Sequence, residues 1–144
     1  MHLMANAISI LVSGGKYGRE AGKIKRFSGR LIKALKIKNI SLEICLVSNR
    51  EIKRLNLRFR GKDRATNVLS LEMKGGPSRP DIRENSRYLG EIFLAPDYIR
   101  SHGENLDFLF LHGFLHVLGY THVVRRDTIK MQRLEDKLSK KLKI

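Results

Sequence analysis

Residues Leu106 to Leu118 form an apolar run with histidines embedded in it, and this combination restricts the fold more than any other part of the 144-residue chain. Leu106, Phe108, Leu109, Phe110, Leu111, Phe114, Leu115, Val117 and Leu118 leave little polar surface on any side. A helix that is apolar around nearly its whole circumference belongs at the centre of a domain. The run is also too short, and too interrupted, to cross a bilayer. His112 and His116 stand at i and i+4 within it, on one face and about one turn apart. Burying two imidazoles without partners costs on the order of 1–3 kcal/mol each, so something must satisfy them.

A divalent metal does this well, because neutral imidazole is the commonest zinc ligand and nitrogens at i and i+4 can grip one ion. Gly119 is suited to end the helix in the left-handed conformation and to turn Tyr120-Thr-His122 back toward the first two histidines. The pattern His-x3-His-x2-Gly-x2-His has the spacing of the metzincin zinc sites. His112, His116 and His122 are therefore the expected ligands of one divalent ion, zinc by preference, with an open position for water as in catalytic sites. An i, i+4 histidine pair taken alone is more often structural; the glycine and the third histidine move the balance to metal. Gly113 stands where metzincins carry their glutamate general base, which disfavours peptide hydrolysis. His2 and His102 lie outside the pattern and are expected at the surface.

Around this helix the periodicity predicts a small mixed sheet. Strands are expected over Ala7–Val12, Ser41–Val47, Asn67–Leu71 and Tyr88–Ala95. An amphipathic helix with a cationic outer face is expected from about Tyr17 to Lys36, buried through Ile24, Phe27, Leu31 and Leu35. Ser48-Asn-Arg-Glu51 has capping-box spacing and opens a helix to about Arg58, packing through Ile52, Leu55 and Phe59. A turn is expected over Gly61-Lys-Asp63. Pro96 begins a short helix, Asn105 caps the apolar one, and a basic helix from near Asp127 is expected to bury Met131, Leu134, Leu138 and Leu142. Lys74 to Arg87, broken by Gly75, Gly76, Pro77 and Pro80, is irregular and long enough to be mobile or a lid. The order implies one α+β domain over residues 1–144: a four-stranded mixed sheet covered by helices, with the histidine helix at its centre.

Lys plus Arg outnumber Asp plus Glu by 29 to 14, a formal net charge of +15 spread along most of the chain. Such a field favours polyanions, nucleic acid above all; a generic solubility charge is the alternative. Cys45 is the only cysteine, so no intrachain disulfide forms, a cysteine-rich zinc cluster is excluded, and the residue is expected to be structural. A reducing cytoplasm and the lack of a secretory signal pattern fit together.

His112-Gly-Phe-Leu-His-Val-Leu-Gly-Tyr-Thr-His122 closely resembles the signature of the YbeY family of bacterial metal-dependent endoribonucleases, His-Gly-x-Leu-His-x-x-Gly-Tyr-Asp-His. Leu55-Asn-Leu-Arg-Phe-Arg-Gly-Lys-Asp-Arg-Ala-Thr-Asn-Val-Leu-Ser70 is similar to a second family segment, Leu-Asn-x-x-Tyr-Arg-x-x-Asp-x-x-Thr-Asp-Val-Leu-Ser, and Leu89-Gly-Glu-Ile92 to its Leu-Gly-Asp-Ile. The resemblance implies that His112, His116 and His122 hold a zinc-like ion and that Arg60 is the functional arginine of the cleft. It also implies a role in ribosomal RNA processing, including maturation of the small-subunit RNA 3′ end, and in ribosome quality control. Arg60 suits an anionic transition state, since a guanidinium is always charged and can bind two phosphate oxygens; without the resemblance, a solvated surface arginine is at least as good an explanation. Thr121 replaces the family's Asp beside the last histidine, so a carboxylate orienting a ligand imidazole must come from elsewhere or be absent; Asn67 and Leu71 replace its Asp and Phe around the third strand, and all three changes leave the ligands intact.

The expected function is a single-strand-directed endoribonuclease of the cytoplasm, acting on ribosomal RNA and the small ribosomal subunit, with no membrane or DNA partner. Arg60 is the expected phosphate anchor, and His116 is expected to assist proton transfer where it is not locked as a ligand. Two alternatives remain: a non-catalytic ribosome-assembly factor in which the metal staples the last loop to the buried helix, and a zincin-like metalloprotease.

Overall fold

The computed structural model describes residues 8–73, 87–120 and 125–144. Its elements are β1 (Ile8–Ser13), α1 (Gly18–Leu35), β2 (Ile40–Leu46), α2 (Asn49–Arg60), β3 (Val68–Glu72), β4 (Arg87–Leu94), α3 (Pro96–Ser101), α4 (Leu106–Val117) and α5 (Arg125–Leu142). The sheet runs in the order β1-β2-β4-β3. β1, β2 and β4 are parallel, while β3 pairs antiparallel with β4. The architecture is the α+β class with a mixed four-stranded sheet that the sequence predicts. Residues 74–86, most of the stretch expected to be irregular, lie outside the described residues, as does His2. Among the described residues no helix is long and apolar enough to cross a membrane.

Side chains alternate between the two faces of a strand, and here the two faces serve different helices. Ile92 and Leu94 of β4 join Leu42 and Ile44 of β2 in the main core, against α1, α4 and α5. Phe93 and Ala95 point the other way, into a smaller cluster with Leu69 of β3 and Ile52 of α2. Cys45 packs against this second cluster, the structural position expected for it.

α4 is central, as its composition requires. Phe110, Leu111, Phe114 and Leu115 are wholly buried, each worth roughly 1.5–3 kcal/mol relative to exposure. The Phe110 ring meets Phe27 of α1 edge-on at 6.0 Å. Asn105 caps the helix, its Oδ1 accepting from the Phe108 N–H at 3.0 Å. Gly113 lets α4 approach the sheet: a Cβ there would stand 3.1 Å from Val68 Cγ2 and 3.2 Å from Ile92 Cγ2.

Gly90 has a different backbone reason. Ser41 and Glu43 of β2 face Tyr88 and Glu91 of β4, so β4 carries one extra residue at a bulge. Gly90 lies there with φ 132°, and a Cβ would fall 2.0 Å from the Leu71 carbonyl oxygen. Only glycine fits.

Three local expectations change. Ser48 caps α2, accepting from the Glu51 N–H at 3.1 Å, but the Glu51 carboxylate turns to Arg54 at 2.7 Å instead of completing the capping box. α2 also runs to Arg60, where Gly61 (φ 72°) caps it in the left-handed conformation. Phe59 is 43% exposed, not core. The cause is Asn56, which takes the inward position four residues after Ile52 and donates to the Arg64 carbonyl at 3.0 Å. The last turn of α2 therefore rests on the following loop and not on apolar side chains. Finally, α5 buries Glu135 along with Met131, Leu138 and Leu142, and Leu134 is only partly buried.

Candidate metal centre

α4 is buried on the sides that meet the sheet, α1 and α5, leaving one stripe open to solvent. His112 and His116 occupy that stripe and are half-buried, not enclosed as the apolar run implies. They open onto a cleft of about 370 Å³ whose walls include Phe108 of α4, Asn67 and Ser70 at β3, and Arg60 at the end of α2.

Each imidazole is held by its Nδ1. The Nδ1 of His112 is 2.5 Å from Glu135 Oε2 on α5, and Glu135 is 5% exposed. The Nδ1 of His116 is 3.0 Å from the Tyr120 carbonyl oxygen. A carbonyl only accepts, so the His116 Nδ1 carries the proton and donates it, and the His112 Nδ1 does the same wherever the Glu135 carboxylate accepts. Both Nε2 atoms then present lone pairs, and they face one another at 3.1 Å. A proton shared between the two nitrogens, or a cation bound by both, satisfies such a pair. Nitrogens bound at zinc distances on a tetrahedral ion stand about 3.3 Å apart, so this donor pair fits a divalent cation. A carboxylate or carbonyl behind the other ring nitrogen is the usual second partner of a metal-bound histidine.

The turn that delivers the Tyr120 carbonyl follows from the sequence. Gly119 has φ 114°, and the N–H groups of Gly119 and Tyr120 donate to His116 and Leu115 carbonyls at 2.9 and 3.0 Å. The helix thus ends at the glycine, as expected. His122 and Thr121 lie outside the described residues, and among the described residues no group of three potential ligands gathers. His102 lies away from the centre, exposed, with its ring stacked on Tyr98 at 3.9 Å.

Arg60 is exposed at the cleft wall, one Nη2 donating to the Ser70 carbonyl at 2.7 Å. That bond ties the end of α2 to β3 and fixes the guanidinium on the side of the histidines. Asn67 lines the same cleft and donates to Glu104 at 3.2 Å. An aspartate there would face that carboxylate with like charge, so the asparagine and Glu104 are mutually suited. Leu71 joins the apolar cluster around Ile52 and Leu69.

Glu135 is the residue that spacing around the histidines did not reveal. Its signal is a carboxylate in the buried row of α5, four residues after Met131, where an apolar side chain is expected. It supplies a carboxylate behind a candidate ligand even though position 121 is threonine. Replacing Glu135 by Gln is expected to weaken metal binding about 10- to 100-fold while leaving the melting temperature of the metal-free protein nearly unchanged. Competition with a chromophoric chelator measures the first, and thermal denaturation in chelator the second. Unaltered affinity would mean that the contact only packs.

The whole chain also has recognisable relatives. The profile of the Endoribonuclease YbeY family matches residues 19–143. A Sulfurihydrogenibium protein named Endoribonuclease YbeY is 31% identical over 144 residues, covering 92% of this chain and 91% of its own. A Francisella philomiragia protein of the same name is 35% identical over 117 residues, covering 75% and 73%. In three dimensions the chain is similar to the solution structure of a Thermotoga maritima protein, with a TM-score of 0.52, 25% identity, and coverage of 93% and 91%. A profile spanning nearly the whole chain, relatives matched over most of their length and a shared fold place this chain in the Endoribonuclease YbeY family.

Proposed function

We propose that the chain is a metal-dependent endoribonuclease that cuts single-stranded segments of ribosomal RNA. It works as one domain over residues 1–144, in maturation of the small-subunit RNA 3′ end and in ribosome quality control. The observation that carries this is the convergence of the His112 and His116 Nε2 atoms at 3.1 Å on a cleft that also holds Arg60. His112, His116 and His122 would hold the ion, zinc by preference. When bound, such an ion acidifies water and offsets charge on phosphate oxygens.

The chain's own groups do the rest. A guanidinium has five N–H donors, and Arg60 commits one Nη2 contact to Ser70, leaving donors to grip a phosphate in a bidentate fork. Phe108 offers an aromatic surface in the cleft wall on which an unstacked base can lie. A cleft of about 370 Å³ takes a flipped or single-stranded nucleotide more readily than an intact duplex, whose bases are stacked out of reach. His116 holds its Nδ1 proton on the Tyr120 carbonyl, so proton transfer through its Nε2 requires that atom to be released. Gly113 lies against Val68 and Ile92, away from the open stripe, so the position that supplies a base in metzincins contributes none here.

The test is elemental analysis of purified protein together with cleavage of single-stranded RNA. One ion per chain is expected, and Arg60→Ala is expected to slow cleavage about a hundredfold with metal content unchanged. Equal cleavage by wild type, Arg60→Ala and His116→Ala would sink the proposal. Full metal occupancy with no turnover on any RNA would point to the assembly-factor alternative.

A further inference from the structure

α1 and α5 each carry a row of five exposed cations at the same spacing, i, i+4, i+7, i+11 and i+14. On α1 these are Arg19, Lys23, Arg26, Arg30 and Lys33; on α5 they are Arg126, Lys130, Arg133, Lys137 and Lys140. At 100° per residue each row lies roughly 150° around its helix from the buried row, and each is about 21 Å long. The two helices pack on the same face of the sheet and touch. Arg30 Nη2 donates to the Leu142 carbonyl at 2.7 Å, joining the rows at the end of α5.

A face that serves solubility interleaves both signs. These do not. Successive members of each row are like charges at i+3 or i+4, an arrangement that weakens a helix. α1 has a single acid, Glu20, which is engaged with Arg100 at 3.0 Å. Asp136 is the exposed acid of α5. Lys23 meets Asp107 at 3.8 Å, whereas Arg19, Arg26, Lys33 and the α5 row have no ion pair among the described residues. Repulsion along two adjoining helices is relieved when a polyanion lies across them.

We propose that these cationic faces of α1 and α5 form a docking surface for the phosphate backbone of double-helical RNA, separate from the cleft. The inference rests on the ribonuclease reading for the choice of polyanion. Neither row includes an aromatic side chain, and single strands are held largely by stacking on aromatics. Helical RNA is instead gripped through backbone and shape. Phe108 lies at the cleft, so the molecule offers a stacking site for a strand and, with no residue in common, a separate phosphate-binding surface. Such a division would hold a structured RNA by its helix while a neighbouring single strand reaches the histidines.

The test compares wild type with the full chain carrying Arg26→Gln, Lys33→Gln, Arg133→Gln and Lys137→Gln, which spares the internal contacts of Lys23 and Arg30. Binding to a blunt RNA duplex of about 16 base pairs is followed by anisotropy across a salt series. Cleavage of a short single-stranded oligonucleotide is measured in parallel. The variant is expected to bind the duplex at least ~10-fold more weakly, with a salt slope reduced by about 0.9 per lost phosphate contact. Its melting temperature should be equal or higher, and its oligonucleotide cleavage unchanged. Unchanged duplex affinity overturns the proposal, as does equal loss of oligonucleotide cleavage, which would merge the surface with the cleft. Wild-type binding to anionic vesicles without duplex binding also overturns it, in favour of a membrane. If wild type cleaves nothing while the variant still loses duplex binding, the docking surface stands and the ribonuclease reading falls.

Discussion

Replacing His112 by alanine is expected to abolish metal binding and, in metal-free protein, to cost about 3 kcal/mol of folding stability, the upper end for a buried group left without its hydrogen-bond partner. The two losses have different origins. The first follows from removing one of the converging Nε2 donors. The second arises because Glu135 is 5% exposed and keeps its carboxylate beside the His112 Nδ1; without the imidazole, that charge is left in the interior. His116→Ala should separate them. It removes the other donor, but the Nδ1 partner it abandons is the carbonyl of exposed Tyr120, which water can satisfy. Its expected stability cost is about 1 kcal/mol, with the same loss of metal. The double replacement His112→Leu, Glu135→Leu should regain most of the stability without regaining metal, since a well-packed apolar pair can match or exceed a buried polar one. Denaturant unfolding in chelator, alongside metal titration, decides the matter. Equal destabilisation by His112→Ala and His116→Ala would show that Glu135 finds another partner.

Gly113→Glu, which writes the metzincin glutamate into the helix, is expected to unfold the protein and not to create a protease. A Cβ at this position already stands 3.1 Å from Val68 and 3.2 Å from Ile92, and the added carboxylate would be driven toward the core between α4 and the sheet. Overpacking and an unpaired buried charge together should exceed about 4 kcal/mol, a large part of the stability of a domain this size. Gly113→Ala tests the steric part alone. Its helix-propensity gain of about 1 kcal/mol over glycine opposes an overpacking cost of about 1–3 kcal/mol, so a net loss of no more than about 2 kcal/mol is expected. Near-ultraviolet circular dichroism and thermal melting give the result. A folded Gly113→Glu protein would show that α4 can lift from the sheet at this point.

Much of the site was legible because its parts are close in sequence. Helix periodicity alone places His112 and His116 on one face, and the apolar residues around them make α4 central. Gly119 marks the end of that helix through a conformation that other residues adopt at a cost. Caps at Ser48 and Asn105 act over three residues and were equally readable. Arg60 was reached only through resemblance: the charge pattern around it does not distinguish it from Arg58 or Arg64, and its bond to Ser70 spans ten residues of chain. Phe59 was misplaced because apolar periodicity cannot tell that Asn56 diverts the end of α2 onto a loop.

Element types, the central position of α4, the histidine pair and the family resemblance all follow from local spacing or contiguous motifs and need no fold to be read. The strand order β1-β2-β4-β3, the close approach at Gly113 and the arrival of Glu135 behind His112 emerge only once the chain is folded. What separates the two groups is distance along the chain. Glu135 and His112 are 23 residues apart, and nothing in the pattern of either helix says which buried position of α5 will meet which position of α4. Packing of the two helices makes that choice, and it turns a carboxylate in an apolar row into the partner of a candidate metal ligand.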